Sequence, residues 1–165
     1  MNSEIERKFL VKDLPDLSRK KSIHYERYFL KVSPDYEERI QRKGSVYELE
    51  KKFNLSKLSR KTEKLEISKE QFDKLKKGAS KSIIRESYTI SKNPSVTVKI
   101  YHGDYKGLIR AEVEFKSVKE AKIFKPLKWF GKEITNTSLG KDSKLININK
   151  IEFKKLINIY KQDNK

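Results

Sequence analysis

Pairs of carboxylates spaced two residues apart are the part of this sequence best suited to chemistry. Glu4 and Glu6 form one pair, and Glu112 and Glu114 form another. In an extended strand, side chains two residues apart point to the same side, so each pair could share a divalent cation through its oxygens. Lys and Arg side chains accompany both pairs and could bind phosphate oxygens. This combination would suit a complex of a polyphosphate with a metal ion.

The same alternation recurs along the chain. The charged or polar sets are Glu37, Arg39, Gln41 and Lys43; Glu48, Glu50 and Lys52; Arg85, Ser87 and Thr89; and Arg110, Glu112, Glu114 and Lys116. One charged side per strand is ordinary for an antiparallel sheet with that side in water. Here acidic and basic groups recur together on that side, and in a closed barrel they would form a polar interior. A solvated sheet covered by helices only on its apolar side stays open as the alternative.

Eight strands are needed to position these side chains. The period-2 pattern predicts them at 3–11, 23–32, 36–43, 46–53, 60–67, 82–91, 95–102 and 108–116. Tight turns suit residues 33–35, 43–45, 92–94 and 103–107, which contain Gly, Pro, Ser, Asn or Asp. The order of strands followed by helices predicts an α+β fold with an eight-stranded antiparallel β-barrel, in which helices pack outside and at the ends.

Helix starts are marked by capping residues. Ser68 with Gln71 predicts a capping box before a helix that ends near Gly78. Ser117 with Glu120, and Asn149 with Glu152, repeat the signature before two later helices. The sequence therefore predicts one helix within the strand series and two after it.

Composition bounds the function. The chain has 165 residues, a net charge of +17 and no cysteine, so one domain over 1–165 is expected, and thiol nucleophiles, disulfides and cysteine zinc sites are excluded. The two histidines, His24 and His102, are too few for a histidine-rich metal site. No apolar run approaches the roughly 20 residues of a membrane span, and no signal-peptide pattern opens the chain, so a cytoplasmic location is expected. The positive charge favours an anionic partner, although a coding bias toward A and T, which enriches lysine, explains part of that charge.

Residues 4–11, EIERKFLV, resemble the N-terminal ExExK signature of the CYTH family, the triphosphate tunnel metalloenzymes. Further matches follow in order over about residues 3–142: Arg39 before Gly44, Lys52, the segment 58–60, the segment 102–109, the segment 111–115, and Pro126, Trp129, Gly131 and 133–135. The resemblance is to the short, single-domain microbial members. It implies an eight-stranded barrel that forms a tunnel, in which carboxylates bind Mg²⁺ or Mn²⁺ and a metal-activated water attacks a terminal phosphorus.

Carried over to this chain, the resemblance assigns roles residue by residue. Glu4, Glu6, Glu112 and Glu114 would be the metal ligands; Lys8, Arg39, Lys52 and Arg85 would bind phosphates; and Glu6 and Lys8 would be the catalytic residues. Phosphoryl transfer needs charge neutralisation and in-line placement more than a covalent nucleophile, so this set is chemically sufficient.

Several positions depart from the family pattern. Gln41 and Ser87 stand where basic residues are usual, Thr62, Lys64 and Lys99 where acids are usual, and Leu139 where an arginine is usual. Fewer carboxylates would weaken cation binding, and Lys64 or Lys99 could put positive charge where a metal would sit.

The expected function is metal-dependent hydrolysis of triphosphates. Inorganic tripolyphosphate is the expected substrate, because nothing in the sequence marks a nucleoside pocket. One alternative is a tunnel that binds a polyanion, such as polyphosphate, a nucleotide or an RNA 5′ end, with weak or no hydrolysis. A lesser alternative is an adenylate cyclase. A triphosphate or polyphosphate is the expected partner; the sequence allows nucleic acid without favouring it and predicts no membrane partner.

Overall fold

The computed structural model describes residues 2–79 and 81–163, and within them nine strands and four helices are present. Residues 1, 80, 164 and 165 of the predicted domain lie outside the described residues. The strands are β1 (Asn2–Val11), β2 (Ser22–Ser33), β3 (Tyr36–Lys43), β4 (Val46–Asn54), β5 (Ser59–Ile67), β6 (Ser82–Lys92), β7 (Ser95–His102), β8 (Ile109–Glu114) and β9 (Phe130–Glu133). The helices are α1 (Lys69–Lys76), α2 (Val118–Ile123), α3 (Asp142–Leu145) and α4 (Lys150–Asp163). Among the described residues, no helix is long and apolar enough to cross a membrane.

Eight of these strands close into an antiparallel ring. Their order is β5-β4-β3-β2-β6-β7-β8-β1, and residues 2–5 of β1 pair back with β5. The short β9 pairs with the later part of β1, opposite Phe9 and Val11. The predicted eight-stranded antiparallel tunnel is confirmed, and closure leaves no unpaired edge along most of the ring.

Two of these elements were missing from the sequence-based assignment. β9 has four residues and α3 has four, and both are too short for a periodicity to be visible. Both depend on contacts made elsewhere: β9 on pairing with β1, and α3 on burial of Asp142 and Leu145.

The predicted helix caps are largely as observed. The Ser68 side chain accepts a hydrogen bond from the Gln71 backbone, and the Gln71 side-chain oxygen accepts one from the Ser68 backbone N–H, which completes a capping box. The Asn149 side chain accepts from the backbone of Glu152. At α2, Ser117 caps in the same way, but the Glu120 carboxylate accepts from the backbone of Lys116, one residue earlier than in a capping box.

The two faces of the barrel have different chemistry. Outward-facing rings pack against the helices and β9: Phe72 of α1 contacts Tyr28 and Tyr47, and Phe130 of β9 stacks on Phe9 at 4.8 Å between ring centroids. The inward face carries the charged residues, many of them buried. The predicted polar interior is therefore confirmed, and the alternative of a solvated charged sheet is wrong.

One end of the tunnel, which we call the floor, is filled by the C-terminal segment. The apolar cluster there joins the strand residues Leu10, Phe29, Ile83 and Tyr101, and Leu108 just before β8, to Ile134, Leu139, Leu145, Ile146, Ile148, Phe153 and Ile157. Close backbone approach supports this packing, since a Cβ on Gly140 would lie 2.0 Å from the Ile134 carbonyl oxygen. The charged part of the interior therefore lies between the floor and the opposite, open end.

Candidate active site

A cavity of about 160 Å³ occupies the charged part of the tunnel. Among the described residues, ten basic and six acidic side chains line it, together with Tyr25 and Gln41. All eight predicted site residues lie in this wall: Glu4, Glu6, Lys8, Arg39, Lys52, Arg85, Glu112 and Glu114. Buried charges are costly unless they are paired, so the pairing pattern indicates which of them are free for a ligand.

Three carboxylates, those of Glu4, Glu6 and Glu114, form what we call the carboxylate cluster. Glu6 and Glu114 lie directly opposite each other on β1 and β8. Glu4 accepts a 2.6 Å hydrogen bond from the Lys52 ammonium, and Glu6 lies 3.2 Å from the Lys8 Nζ. Burial would raise the pKa of Glu6, but the charge of Lys8 and other cations outweighs it and holds that pKa below its usual value.

Glu114 differs from the other two members. Within the described residues its carboxylate has no hydrogen bond or ion pair. Burial, and then the negative charges of Glu6 and Glu4, raise the pKa of Glu114 above its usual value. The cluster therefore contains repulsion that a bound cation would relieve.

The donor chemistry of the cluster fits a hard divalent cation, because Mg²⁺ and Mn²⁺ prefer carboxylate oxygens. No three acidic, histidine or cysteine side chains among the described residues are already grouped around one metal position. Glu4 and Glu6 face Lys52 and Lys8 instead. These two carboxylates would have to turn from their lysines to share a cation with Glu114.

Next to the floor, Asp142 lies under three arginines. It is 4% exposed and accepts hydrogen bonds from Arg27 Nη1 at 2.7 Å and from the Tyr101 hydroxyl at 2.6 Å. The Arg110 Nη1 lies 3.4 Å away and the Arg85 Nε 3.6 Å away. Burial would raise the pKa of Asp142, but the arginines hold it well below its usual value. Asp142 is therefore the counter-charge that lets these guanidinium groups share a buried site.

Glu112 is also surrounded by cations. Its Oε2 accepts hydrogen bonds from Arg110 Nε at 2.9 Å and Nη2 at 2.7 Å, and the Arg85 Nη1 lies 3.7 Å from it. The Lys99 Nζ lies 4.0 Å from the Oε1. Burial opposes ionisation, but Lys99 and Arg110 hold the pKa of Glu112 well below its usual value. The predicted metal ligand Glu112 thus compensates basic groups in this structure.

A third group of contacts joins β2, β3 and β4. Arg39 donates from Nε at 3.0 Å and from Nη2 at 2.8 Å to one oxygen of Glu50, and Gln41 donates to the other oxygen. The Gln41 carbonyl oxygen in turn accepts from Arg27 Nε at 3.1 Å and Nη2 at 2.7 Å. This chain of hydrogen bonds fixes the orientation of two guanidinium groups along one wall.

Some guanidinium atoms in the wall have no hydrogen-bond partner. Among the described residues, this holds for Nε and Nη1 of Arg85 and for Nε of Arg60, all of which are buried. The carboxylates nearest to Arg85 are at 3.6 and 3.7 Å, within ion-pair range but too long for a hydrogen bond. Buried donors are nearly always satisfied, so these atoms are suited to an oxyanion that enters the cavity.

Two of the departures from the family pattern are offset by a neighbouring strand. Gln41 lies opposite Arg27 in the β2–β3 register, and Arg27 points its guanidinium at the Gln41 side chain. Ser87 lies opposite Lys99 in the β6–β7 register, and the partly buried Lys99 also lines the cavity. In both places a basic side chain stands directly opposite on the neighbouring strand.

The other departures have different surroundings. Thr62 is buried at 5% exposure, and its hydroxyl has no partner among the described residues. Lys64 is half-exposed, and its Nζ lies 3.8 Å from Glu50. Leu139 belongs to the apolar floor, and its carbonyl oxygen accepts a 3.1 Å hydrogen bond from Arg110.

Five further residues that line this cavity were not predicted as site residues from the sequence: Arg27, Glu50, Arg60, Arg110 and Asp142. Arg27 carried a usable signal, because aromatic residues stand two positions before and after it and a lone arginine among them indicates an interior charge. Glu50 and Arg110 belonged to the predicted inward sets. Asp142 carried no local signal, because a one-turn helix brings it into the tunnel.

Known proteins are similar to this chain in sequence and in fold. No protein-family model matches the chain. An inorganic triphosphatase of Nitrosomonas europaea is 29% identical over 146 residues, which cover 87% of this chain and 96% of that protein. The crystal structure of the inorganic triphosphatase NE1496 has a TM-score of 0.65 and 26% identity, over 88% of this chain and 95% of that one. A conserved hypothetical protein of Pyrococcus furiosus shares the fold, with a TM-score of 0.55 and 15% identity over 98% of this chain and 94% of that one.

Proposed function

We propose that this chain, which belongs to the CYTH family of triphosphate tunnel proteins, hydrolyses triphosphate substrates, and that inorganic tripolyphosphate is the substrate. The family rests on the EIERKFLV strand, the closed barrel and the similarity to an inorganic triphosphatase. The observation that carries the activity is the tunnel wall, where two buried donor atoms of Arg85 have no hydrogen-bond partner among the described residues. Such donors match the charge and geometry of phosphate oxygens.

Phosphate binding is proposed for Lys8, Arg39, Lys52 and Arg85. Arg39 is held in place by Glu50, and Arg85 lies above the counter-charge of Asp142. Fixed cations of this kind need no reorganisation as negative charge shifts during phosphoryl transfer. Preorganisation is therefore the main contribution of the wall.

For the cation, we propose Mg²⁺ or Mn²⁺ held by Glu4, Glu6 and Glu114. When bound, the cation would neutralise phosphate oxygens and make a water molecule more acidic. Glu112 completes the ligand set predicted from the sequence, but its contacts with Arg110 favour a role in orienting the basic wall.

The reaction proposed for Glu6 and Lys8 is an in-line displacement. A water oxygen forms a new bond to a terminal phosphorus as the bridging P–O bond breaks, which yields pyrophosphate and orthophosphate. In this proposal Glu6, which its neighbouring cations keep ionised, orients that water. Lys8, whose Nζ lies 3.2 Å from Glu6, neutralises charge on the reacting phosphate.

The shape of the cavity supports an inorganic substrate. Its volume of about 160 Å³ is below the roughly 300–1,000 Å³ typical of sites for drug-sized ligands. Tyr25 is the aromatic side chain among the described lining residues, and cations already lie against its ring, with Arg85 at 5.1 Å and Lys99 at 5.2 Å from the centroid. A base-stacking surface is therefore absent from the described wall of this cavity.

Phosphate release tests this function against its alternatives. Tripolyphosphate, ATP and thiamine triphosphate would each be assayed with Mg²⁺, Mn²⁺ or EDTA, and we expect metal-dependent release that is fastest from tripolyphosphate. Formation of cyclic AMP from ATP would instead identify a cyclase. Tripolyphosphate binding in EDTA without release under any condition would identify a polyanion-binding tunnel, which Lys64 and Lys99 in place of acids would explain.

Lys99 predicts a pH dependence of tripolyphosphate binding. Burial, and then the charge of Arg85, lower the pKa of Lys99 to about 7. A bound polyanion would raise that pKa, so binding takes up a proton, and affinity falls by up to about tenfold per pH unit as pH rises above 7. Calorimetric titration in EDTA from pH 6.5 to 9 measures this slope. In Lys99→Met, the affinity for tripolyphosphate should fall less steeply with pH, because the proton uptake by Lys99 is gone. Equal slopes in both proteins would contradict the prediction.

A cytoplasmic location stays a prediction from the sequence. Nucleic acid also stays a partner that is allowed but not favoured. Binding with a steep salt dependence and no preference for a triphosphate end would identify such a partner.

A further inference from the structure

A second cavity, of about 360 Å³, lies beside the floor of the tunnel. It is bounded by the turn between β2 and β3 on one side and by the α3 region on the other, and Asn54 at the end of β4 completes its rim. Arg60 lines both this cavity and the central one. We call the second cavity the floor pocket; it shares Arg60 with the tunnel cavity.

The floor pocket has more positive than negative charge. Arg60, Lys141 and Lys144 contribute to its wall, and the acid among the described lining residues is Glu37. Glu37 is 3% exposed; it bonds to Arg60 and lies 3.6 Å from Arg39, so it is already shared between two cations.

Two observations indicate that this charge is available to a ligand. The Nε of Arg60 is buried and has no hydrogen-bond partner among the described residues. Lys141 and Lys144 have no ion pair within the part of the chain that the structure describes. Burial, and then the charges of Arg60 and Lys144, lower the pKa of Lys141 to about 8.

We propose that the floor pocket is a second oxyanion site, which binds a phosphate group next to Arg60 while the tunnel holds its own ligand. The hydroxyl group of Ser143 and the side-chain amide of Asn147 line the same pocket and can donate to phosphate oxygens. The group could be free orthophosphate or the end of a polyphosphate chain longer than the tunnel ligand. The proposal depends on the proposed function only for the source of that phosphate, because binding needs no hydrolysis.

The test measures orthophosphate binding with the tunnel already filled. Calorimetry or phosphorus NMR would be carried out in EDTA with saturating tripolyphosphate, so that nothing is hydrolysed. We expect orthophosphate still to bind the wild type. The double variant Lys141→Ala/Lys144→Ala should bind orthophosphate at least about tenfold more weakly, as expected for loss of charged hydrogen bonds. The single variant Lys144→Ala removes an exposed side chain and should fall between the two.

Matched controls separate this site from general attraction to lysines. Lys154→Ala/Lys155→Ala removes the same charge from the exposed face of α4 and should bind orthophosphate as the wild type does. Thermal melting of each variant confirms that it is folded. Equal loss in the control pair, or no orthophosphate binding to the tripolyphosphate-filled wild type, would overturn the proposal.

A second arm distinguishes the two sources of phosphate. Tetrapolyphosphate would replace tripolyphosphate in the same titration. If it abolishes the orthophosphate binding that tripolyphosphate leaves intact, the floor pocket holds the end of a longer chain; if binding remains, the pocket holds free phosphate. Both results support the site, and both stand even if the phosphate-release assay shows no hydrolysis.

Discussion

Replacing Glu114 with glutamine is expected to lower metal-dependent phosphate release from tripolyphosphate by about a hundredfold or more. Loss of a residue that only supports a metal ligand typically costs about 10- to 100-fold, and Glu114 is proposed as a ligand itself. It is also the member of the carboxylate cluster without a cationic partner among the described residues. Glutamine keeps the size of the side chain and removes the charge that attracts a cation.

The control for this variant is Glu63→Gln, which removes the same charge from an exposed position on β5. We expect the control to keep its activity and Glu114→Gln to stay folded, because the wild-type carboxylates repel one another. Titration with Mn²⁺ should show weaker cation binding by Glu114→Gln alone. Unchanged release together with unchanged cation binding would exclude Glu114 as a ligand.

Replacing Asp142 with alanine is expected to destabilise the fold by about 3–5 kcal/mol, the usual cost of removing one partner of a buried ion pair. The substitution would leave Arg27, Arg85 and Arg110 close together without the counter-charge that now lies 2.7–3.6 Å from them. Urea unfolding at neutral pH measures the free energy of unfolding, and the midpoint should fall without a change in slope.

Asp104→Ala provides the matched control. Asp104 lies 3.2 Å from Lys150, but both side chains are about two-thirds exposed, at 66% and 69%, and such pairs contribute about 0–1 kcal/mol. If the two variants lose similar stability, the buried ion pairs of Asp142 stabilise the fold no more than an exposed ion pair does. Asp142→Asn, which keeps a hydrogen-bond acceptor, should lose less than Asp142→Ala.

The pH dependence of this loss has a defined sign. The pKa of Asp142 in the folded protein lies well below its usual value of 3.8, so its stabilising contribution is fully present above the unfolded pKa. That contribution is lost only as pH falls through the lower folded pKa. The difference between wild type and Asp142→Ala should therefore stay constant from about pH 5 to 8 and shrink in stronger acid.

Much of the site followed from local sequence because strand alternation has a strict period. Once Glu4, Lys8 and Arg39 are placed on strands, the period of two decides that they share a face with other charged residues. The eight predicted strands therefore match the observed ones to within two residues at each end. The chain closes with those faces inward, so the eight predicted residues line one cavity.

Contacts between side chains on neighbouring strands could not be predicted from the sequence. Arg27 next to Gln41 and Lys99 next to Ser87 depend on the register of β2–β3 and β6–β7. In a single sequence, each of these departures looks like the loss of a basic side chain. The strand register shows that a basic side chain on the neighbouring strand stands directly opposite. The contacts of Glu112 with Arg110 and Lys99 likewise reflect side-chain packing inside a closed ring.

By itself, the sequence determined the strands, their charged faces and the residue types available for phosphate and metal chemistry, because these depend on interactions between residues near one another in the chain. Only the tertiary structure decided that the C-terminal segment fills one end of the tunnel, that Asp142 neutralises three arginines there, and that Arg60 lies between two cavities. The pair of Arg27 and Asp142, for example, joins residues 115 positions apart. Burial of charge makes each of these features depend on the complete set of neighbours, which exists only in the folded barrel.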